Sequence, residues 1–259
     1  MERLEKAFNN KKKDLLNVYF TAGYPALDDT ENIIVSLAES GVDVIEVGMP
    51  YSDPMADGPT IQQSGTKALE NGMSVSVLFS QLKRVRNQVD TPLVLMGYFN
   101  QVMQFGEEAF LARCQEVGVD GLILPDLPLS VYENEYQDLF LKYDLAPIFL
   151  ITPQTSDERV RKIDQLSRGF IYVVSSAAIT GNSREISPEQ LAYFDRIEKM
   201  NLRLPRMIGF GISDHQSFST ACKFANGAII GSAFIRALQN GEESLDKIIK
   251  SFVKGIRNN

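Results

Sequence analysis

The sequence is poor in the residue types that most often bind metals and move protons. It has one histidine and two cysteines. A catalytic zinc site draws three ligands from such residues, so this composition argues against one. Cys114 and Cys222 stand far apart, each in a stretch with helical periodicity. They read as free thiols rather than as a disulfide or a nucleophile. His215 falls in the first turn of a helical stretch, where an exposed residue without a catalytic role is expected. Tryptophan is absent, which by itself excludes nothing. A basic excess is also absent: net charge is −7. Nucleic acid and anionic membranes need basic patches, so neither is expected as a partner. No apolar run approaches the length of a membrane span. The first residues, MERLEKAFNNKKKD, carry no apolar h-region, so a reducing, cytoplasmic setting is expected. No G-x-x-x-x-G-K-[ST] motif occurs, which removes a P-loop.

What is present is a regular alternation. Short apolar runs at 15–20, 42–48, 92–98, 121–126, 146–152, 170–176, 206–211 and 227–231 read as parallel strands covered on both faces. Amphipathic stretches at 27–41, 106–118, 131–143, 156–167, 187–200 and 213–225 read as helices between them. Eight such units without a linker predict an α/β fold: a single (β/α)₈ barrel domain over 1–259, with an open doubly wound sheet as the alternative. An extra N-terminal helix carries Leu4, Ala7 and Phe8 on one face and is placed to plug the barrel bottom.

In such a barrel the chemistry sits at the C-terminal ends of the strands. No lysine falls there; Lys67, Lys83, Lys142, Lys162, Lys199 and Lys223 are all helical. A Schiff-base mechanism therefore has no candidate amine. Carboxylates do fall there. Glu46 closes an apolar strand and Asp57 follows in the loop EVGMPYSDPMADGP. A Glu46 facing the helices would need a partner. Facing the mouth, it would be a general acid or base with a raised pKa. Pro50, Pro54 and Gly58-Pro59 stiffen the loop and could hold Asp57 across the same pocket, while Asp53 lies in a turn. Tyr98, Asn100, Asp126, Tyr172 and Ser175 also fall at strand ends. Glycine motifs TGN (180–182), GFGIS (209–213) and GSA (231–233) end the last strands, and Ser232 is placed to open a short helix. Together they point to a phosphate site.

The motif EVGMPYSDPMADGPTIQ, with PDLP, SRGFIYVVSSAAITG, GFGIS and GSA in the same order along the chain, resembles the tryptophan synthase alpha-subunit family. The resemblance implies cleavage of indole-3-glycerol phosphate to indole and glyceraldehyde 3-phosphate without a cofactor in this chain. Glu46 would be the acid/base and Asp57 the partner of the indole nitrogen. Tyr172, Phe20 or its neighbour Tyr19, Met96, Ile123 and Leu150 would line the indole pocket, with Thr180 in the loop that closes over it. Gly181, Phe210, Gly211, Gly231 and Ser232 would hold the phosphate. The family also implies a pyridoxal-phosphate-dependent beta subunit in an alpha2beta2 tetramer, met by Asp53, Pro54, Asn100 and Pro128. A stand-alone indole-releasing lyase and a barrel that mainly regulates its partner are the alternatives. One departure stands out: Ser176, Ala177 and Ala178 occupy a place where most members carry an Arg and a Gly.

Overall fold

The structure is a computed structural model that describes residues 1–54, 57–175, 187–209, 211–239 and 243–257. Its strands are β1 Leu15–Thr21, β2 Val44–Gly48, β3 Leu93–Met96, β4 Gly121–Ile123, β5 Ala146–Pro147, β6 Leu150–Ile151, β7 Ile171–Val174, β8 Arg206–Gly209 and β9 Gly227–Ile230. They form one sheet in the order β5-β4-β3-β2-β1-β9-β8-β7-β6, every pair parallel.

The two ends of that order are consecutive in sequence. The Ile148 N–H donates to Leu122 O at 3.0 Å, and the Tyr172 N–H donates to Phe149 O at 3.1 Å. One stretch, 146–151, thus bonds β4 through one set of residues and β7 through the other, and the sheet closes into a barrel. The expected single strand at 146–152 is two short pieces for a local reason. Pro147 has no N–H to give to the β7 side, so the ladder lacks a rung there.

The helices are α1 Glu2–Asn10, α2 Asp29–Glu39, α3 Pro59–Glu70, α4 Val75–Val85, α5 Phe99–Phe105, α6 Glu107–Glu116, α7 Leu129–Val131, α8 Gln137–Lys142, α9 Asp157–Leu166, α10 Pro188–Lys199, α11 His215–Phe224, α12 Ser232–Gln239 and α13 Leu245–Arg257. Local chemistry starts several of them. Ser156, Ser187 and Asp214 each accept a backbone N–H of the first turn, and Ser187 forms a full capping box with Gln190. The expected helix at 131–143 is interrupted by a π-helical turn at Tyr132–Tyr136. Tyr132 is buried there, edge-on to Phe140 and Phe149 at 5.3 and 5.1 Å. Helices α5 and α13 have no counterpart among the helical stretches expected above, and α3 and α4 are anticipated only through Lys67 and Lys83. In α13, Ile249, Val253 and Ile256 are buried.

Because side chains alternate along a strand, each strand feeds two cores. Leu15, Val44, Val94, Ile123, Ile148, Met207 and Ile229 point into the barrel and pack with Leu4 and Phe8 of α1. Leu16, Val18, Phe20, Ile45, Val47, Leu93 and Leu95 point outward into the layer under the helices. Helix α1 plugs the bottom as expected: the Phe8 ring packs at a tilt against Phe170, with centroids 5.7 Å apart. Arg3 anchors the plug, donating to Gly118 O at 2.8 Å and to Asp120 at 3.2 Å. Burying Leu4 and Phe8 stabilises this end by about 2 kcal/mol each. The opposite end, where the strands finish, is left for polar side chains.

Candidate active site

Alternation decides which polar groups enter the mouth. In β2, Val44, Glu46 and Gly48 share the inward face, since Ile45 and Val47 are in the outer core. In β1 the inward set contains Leu15, Asn17 and Tyr19, with Tyr19 in register beside Glu46. Of the two expectations for the β1 aromatic, Tyr19 takes the site. Phe20 does not: it is wholly buried in the outer core, because a one-residue step reverses the face.

Glu46 is completely buried. Its Oε2 accepts from Asn17 Nδ2 at 2.8 Å, while Oε1 and Asn17 Oδ1 find no partner among the described residues. Burial pushes the Glu46 carboxyl up to about 8, against the bond from Asn17, which favours the charged form. At neutral pH the group is therefore mostly a neutral acid. That suits a residue that must give a proton and then take one back.

Two phenols enclose it, and glycines admit them. A Cβ at Gly48 would lie 2.1 Å from the Tyr19 hydroxyl, and one at Gly209 would lie 2.3 Å from the Tyr172 hydroxyl. Only glycine leaves room at either place. Burial holds both hydroxyls far above their ordinary range, with Glu46 and Asp57 adding to the shift. Both rings therefore stay neutral and able to donate.

Asp57 is set by its loop. Its N–H donates to Pro54 O at 3.2 Å, and Gln62 of α3 donates to Asp57 O and Pro54 O at 2.8 and 3.2 Å. Gly58 then caps α3 with Pro59 in its first turn. The stiffness expected of this segment is thus partly proline and partly the Gln62 clamp. The Tyr98 hydroxyl donates to Asp57 Oδ2 at 3.2 Å. Partial burial raises the Asp57 carboxyl, and the Tyr98 bond opposes that rise. Tyr98 stacks on Tyr51 at 5.0 Å, and Asn100 Nδ2 donates to the Tyr51 hydroxyl at 2.8 Å. A chain of contacts therefore runs from the barrel rim to the Asp57 carboxylate.

The apolar residues expected around the mouth come together. Ile123 is buried in the inner core, with Met96, Leu150 and Val174 packed at its upper edge beside Tyr172. Val174 was not among the expected residues, although it follows Tyr172 at the two-residue spacing. On the far side, Gly231 lies against the Tyr19 ring, since a Cβ there would sit 3.3 Å from Tyr19 Cδ1. Ser232 opens α12, as expected. Gly211 is exposed with φ +75. Thr180, Gly181 and Phe210 lie outside the described residues, as do Ser176, Ala177 and Ala178. Asp53, Asn100 and Pro128 are exposed at the mouth end and Pro54 is half-buried. Asp126 is structural: its two oxygens accept from the Phe99 N–H at 2.8 and 3.0 Å at the start of α5.

Besides Val174, sequence reasoning missed Asn17, and it missed the role of Tyr98. Asn17 had a signal, an amide inside the apolar run LLNVYF. Tyr98 was placed at a strand end, but its bond to Asp57 joins residues 41 apart and has no local signature. His215 is half-buried rather than exposed, with Nδ1 2.8 Å from Ile256 O, where it ties α11 to α13. Among the described residues, no three His, Cys, Asp or Glu side chains group as a metal site. Cys114 and Cys222 are buried and free.

Comparison with known proteins gives a consistent result. The sequence profile of the family described as tryptophan synthase alpha chain matches residues 5–257. The tryptophan synthase alpha chain of Christiangramia forsetii is 54% identical over 251 residues, spanning 96% of this chain and 98% of its own length. That of Flavobacterium johnsoniae is 53% identical over 257 residues, spanning 99% and 100%. Among solved structures, tryptophan synthase subunit alpha from Legionella pneumophila superimposes with a TM-score of 0.88 at 33% identity, over 99% of this chain and 95% of that one. The tryptophan synthase complex from Pyrococcus furiosus gives 0.86 at 33% identity, over 95% and 99%.

Proposed function

The chain belongs to the tryptophan synthase alpha chain family, and on that premise we propose how its residues carry the family's reaction. It is a carbon–carbon lyase that cleaves indole-3-glycerol phosphate. The products are indole and glyceraldehyde 3-phosphate.

The neutral Glu46 acid gives its proton to C3 of the indole ring. The ring nitrogen takes up the positive charge, and the fixed Asp57 carboxylate stabilises it at the N–H. Glu46, now a carboxylate, accepts the proton of the glycerol hydroxyl on the carbon bonded to C3. The C–C bond breaks, its electron pair returns to the ring, and the hydroxyl oxygen becomes the aldehyde carbonyl. Glu46 ends as it began, protonated. Tyr19, Tyr172, Met96, Ile123 and Leu150 form the aromatic and apolar wall around the ring. Gly231 and Ser232 at the start of α12, with Gly181, Phe210 and Gly211, take the phosphate through backbone N–H groups, and Thr180 belongs to the loop that closes over the substrate.

The observation that carries this reading is the fully buried Glu46 carboxyl, raised to about 8 and with one oxygen left unpartnered. The test is indole release from indole-3-glycerol phosphate by wild type and by Glu46→Gln. A fall in kcat of about 10³-fold with substrate binding retained is expected. Wild-type turnover in the variant would overturn the assignment.

The whole chain, 1–259, acts as one barrel domain and holds no cofactor of its own. Its partner is a pyridoxal-phosphate-dependent beta subunit in an alpha2beta2 tetramer, which consumes the indole. Asp53, Pro54, Asn100 and Pro128 face that partner. The site of action is the cytoplasm; among the described residues no helix is long and apolar enough to cross a membrane.

A further inference from the structure

Asn17 is as deeply buried as the acid it touches, with no exposure at all. It occupies an inward position of β1 below Tyr19, between apolar side chains at Leu15, Val44 and Ile229. A valine or leucine would fill such a place without leaving a polar atom unmet. Instead the Asn17 amide carries an acceptor, Oδ1, with no partner among the described residues. Burying an unpaired acceptor opposes folding, so the amide is poorly explained by packing. Its one described bond is the 2.8 Å contact from Nδ2 to Glu46 Oε2.

The chemistry of a primary amide matches what Glu46 needs. An amide offers a donor and an acceptor on one rigid plane. With Nδ2 toward Glu46, it donates to the carboxylate. It donates equally to Oε2 as the carbonyl oxygen of the neutral acid, whose proton then sits on Oε1. The same side chain can therefore hold the Glu46 carboxyl in place in both protonation states, at the oxygen that does not meet substrate. We propose that Asn17 is a positioning residue for the lyase reaction, which grips Glu46 Oε2 through the whole proton cycle and so keeps Oε1 aimed into the barrel mouth. This rests on Glu46 being the proton carrier.

The titratable groups that interact with Glu46 from the surrounding elements are the Tyr19 phenol of β1 and the Tyr172 phenol of β7, and the Asp57 carboxyl acts on those same two phenols. Both phenols stay neutral and a second carboxyl brings no positive charge, so none of these replaces Asn17 as the partner that donates to the Glu46 carboxylate.

The test uses the alpha chain bound to its beta subunit, with indole release followed from about pH 6 to 9.5. Asn17→Leu should lower kcat roughly 10- to 100-fold with KM changed less than about threefold, because the carboxylate formed during turnover loses its donor. The alkaline limb of kcat/KM should move up by about one pH unit for the same reason. Asn17→Asp keeps the shape and places two carboxyls on one proton; it should also raise the limb and slow turnover. Either variant, folded by circular dichroism, with wild-type kcat and limb position would overturn the role of Asn17. An active Glu46→Gln would instead remove the proton-carrier assignment beneath it. An inactive Glu46→Gln beside a fully active Asn17→Leu would remove the role of Asn17 alone.

Discussion

Two carboxylates, one near the bottom of the barrel and one near its mouth, are both fully buried, and they are treated in opposite ways. Asp120, just before β4, accepts the Leu93 N–H at 2.9 Å and an Arg3 N–H at 3.2 Å, with the Arg86 guanidinium 3.9 Å away. Glu46 receives a single neutral amide. The first acid is surrounded by cations and ties the α1 plug to the barrel. The second, where a substrate enters, has no cation within ion-pair distance among the described residues. Burial alone therefore marks neither stability nor catalysis; the partner set does.

The sharpest way to break this contrast is to neutralise each acid in turn. Glu46→Gln should cost about 10³-fold in kcat, close to 4 kcal/mol of transition-state stabilisation, as read by indole release. Its effect on folding should have the opposite sign. The folded-state value near 8 lies above the reference of 4.5, so the folded protein holds the Glu46 proton more tightly than the unfolded chain does. The stability this contributes is complete below about pH 4.5 and is lost as pH rises through about 8. Roughly 3 kcal/mol should disappear between pH 5 and 8. Urea unfolding at several pH values checks this: the wild-type slope over that window should be flattened in Glu46→Gln. An unchanged slope would mean that Glu46 ionises normally in the free protein.

At the bottom, Asp120→Asn should leave kcat within about twofold and reduce stability by about 3 kcal/mol. That is the low end for a broken buried pair, because Arg3 is 34% exposed and can turn to water. Denaturant midpoints measure the loss; a large fall in kcat would blur the division between the two ends. The smallest effect is expected at the rim. Tyr98→Phe removes only the donor to Asp57 and should slow turnover about three- to tenfold, near 1 kcal/mol, with the fold unchanged by circular dichroism.

The barrel was legible because its strands are near-continuous apolar runs, the pattern of strands covered on both faces. That same continuity hid the direction of each side chain. In LLNVYF no alternation separates Tyr19 from Phe20, and only the inward amide of Asn17, two residues earlier, marks the inner face. Glu46 and Asp57 stood out as acids at a strand end and in a stiff loop. Tyr98 did not, since its bond to Asp57 depends on how two loops meet. The π turn at Tyr132–Tyr136 escaped for a related reason, since it answers the packing of neighbouring elements more than local propensity, whereas the break at Pro147 has a local cause, the missing N–H, hidden inside an apolar run. Three of the expected ligand-binding residues, Thr180, Gly181 and Phe210, lie beyond the described residues.

Closure through β5 and β6 has a consequence for how the barrel breathes. A ring of parallel strands offers no free edge to another chain. This ring, however, is fastened through two two-residue pieces, with one rung missing at Pro147. It behaves as a clasp. The neighbouring rung is the one from the Tyr172 N–H to Phe149 O, so the fastening and the chamber wall are the same piece of backbone. Amide exchange at Ile148 and Tyr172 reports the opening of that clasp, and a ligand that fills the chamber beside Tyr172 holds it shut.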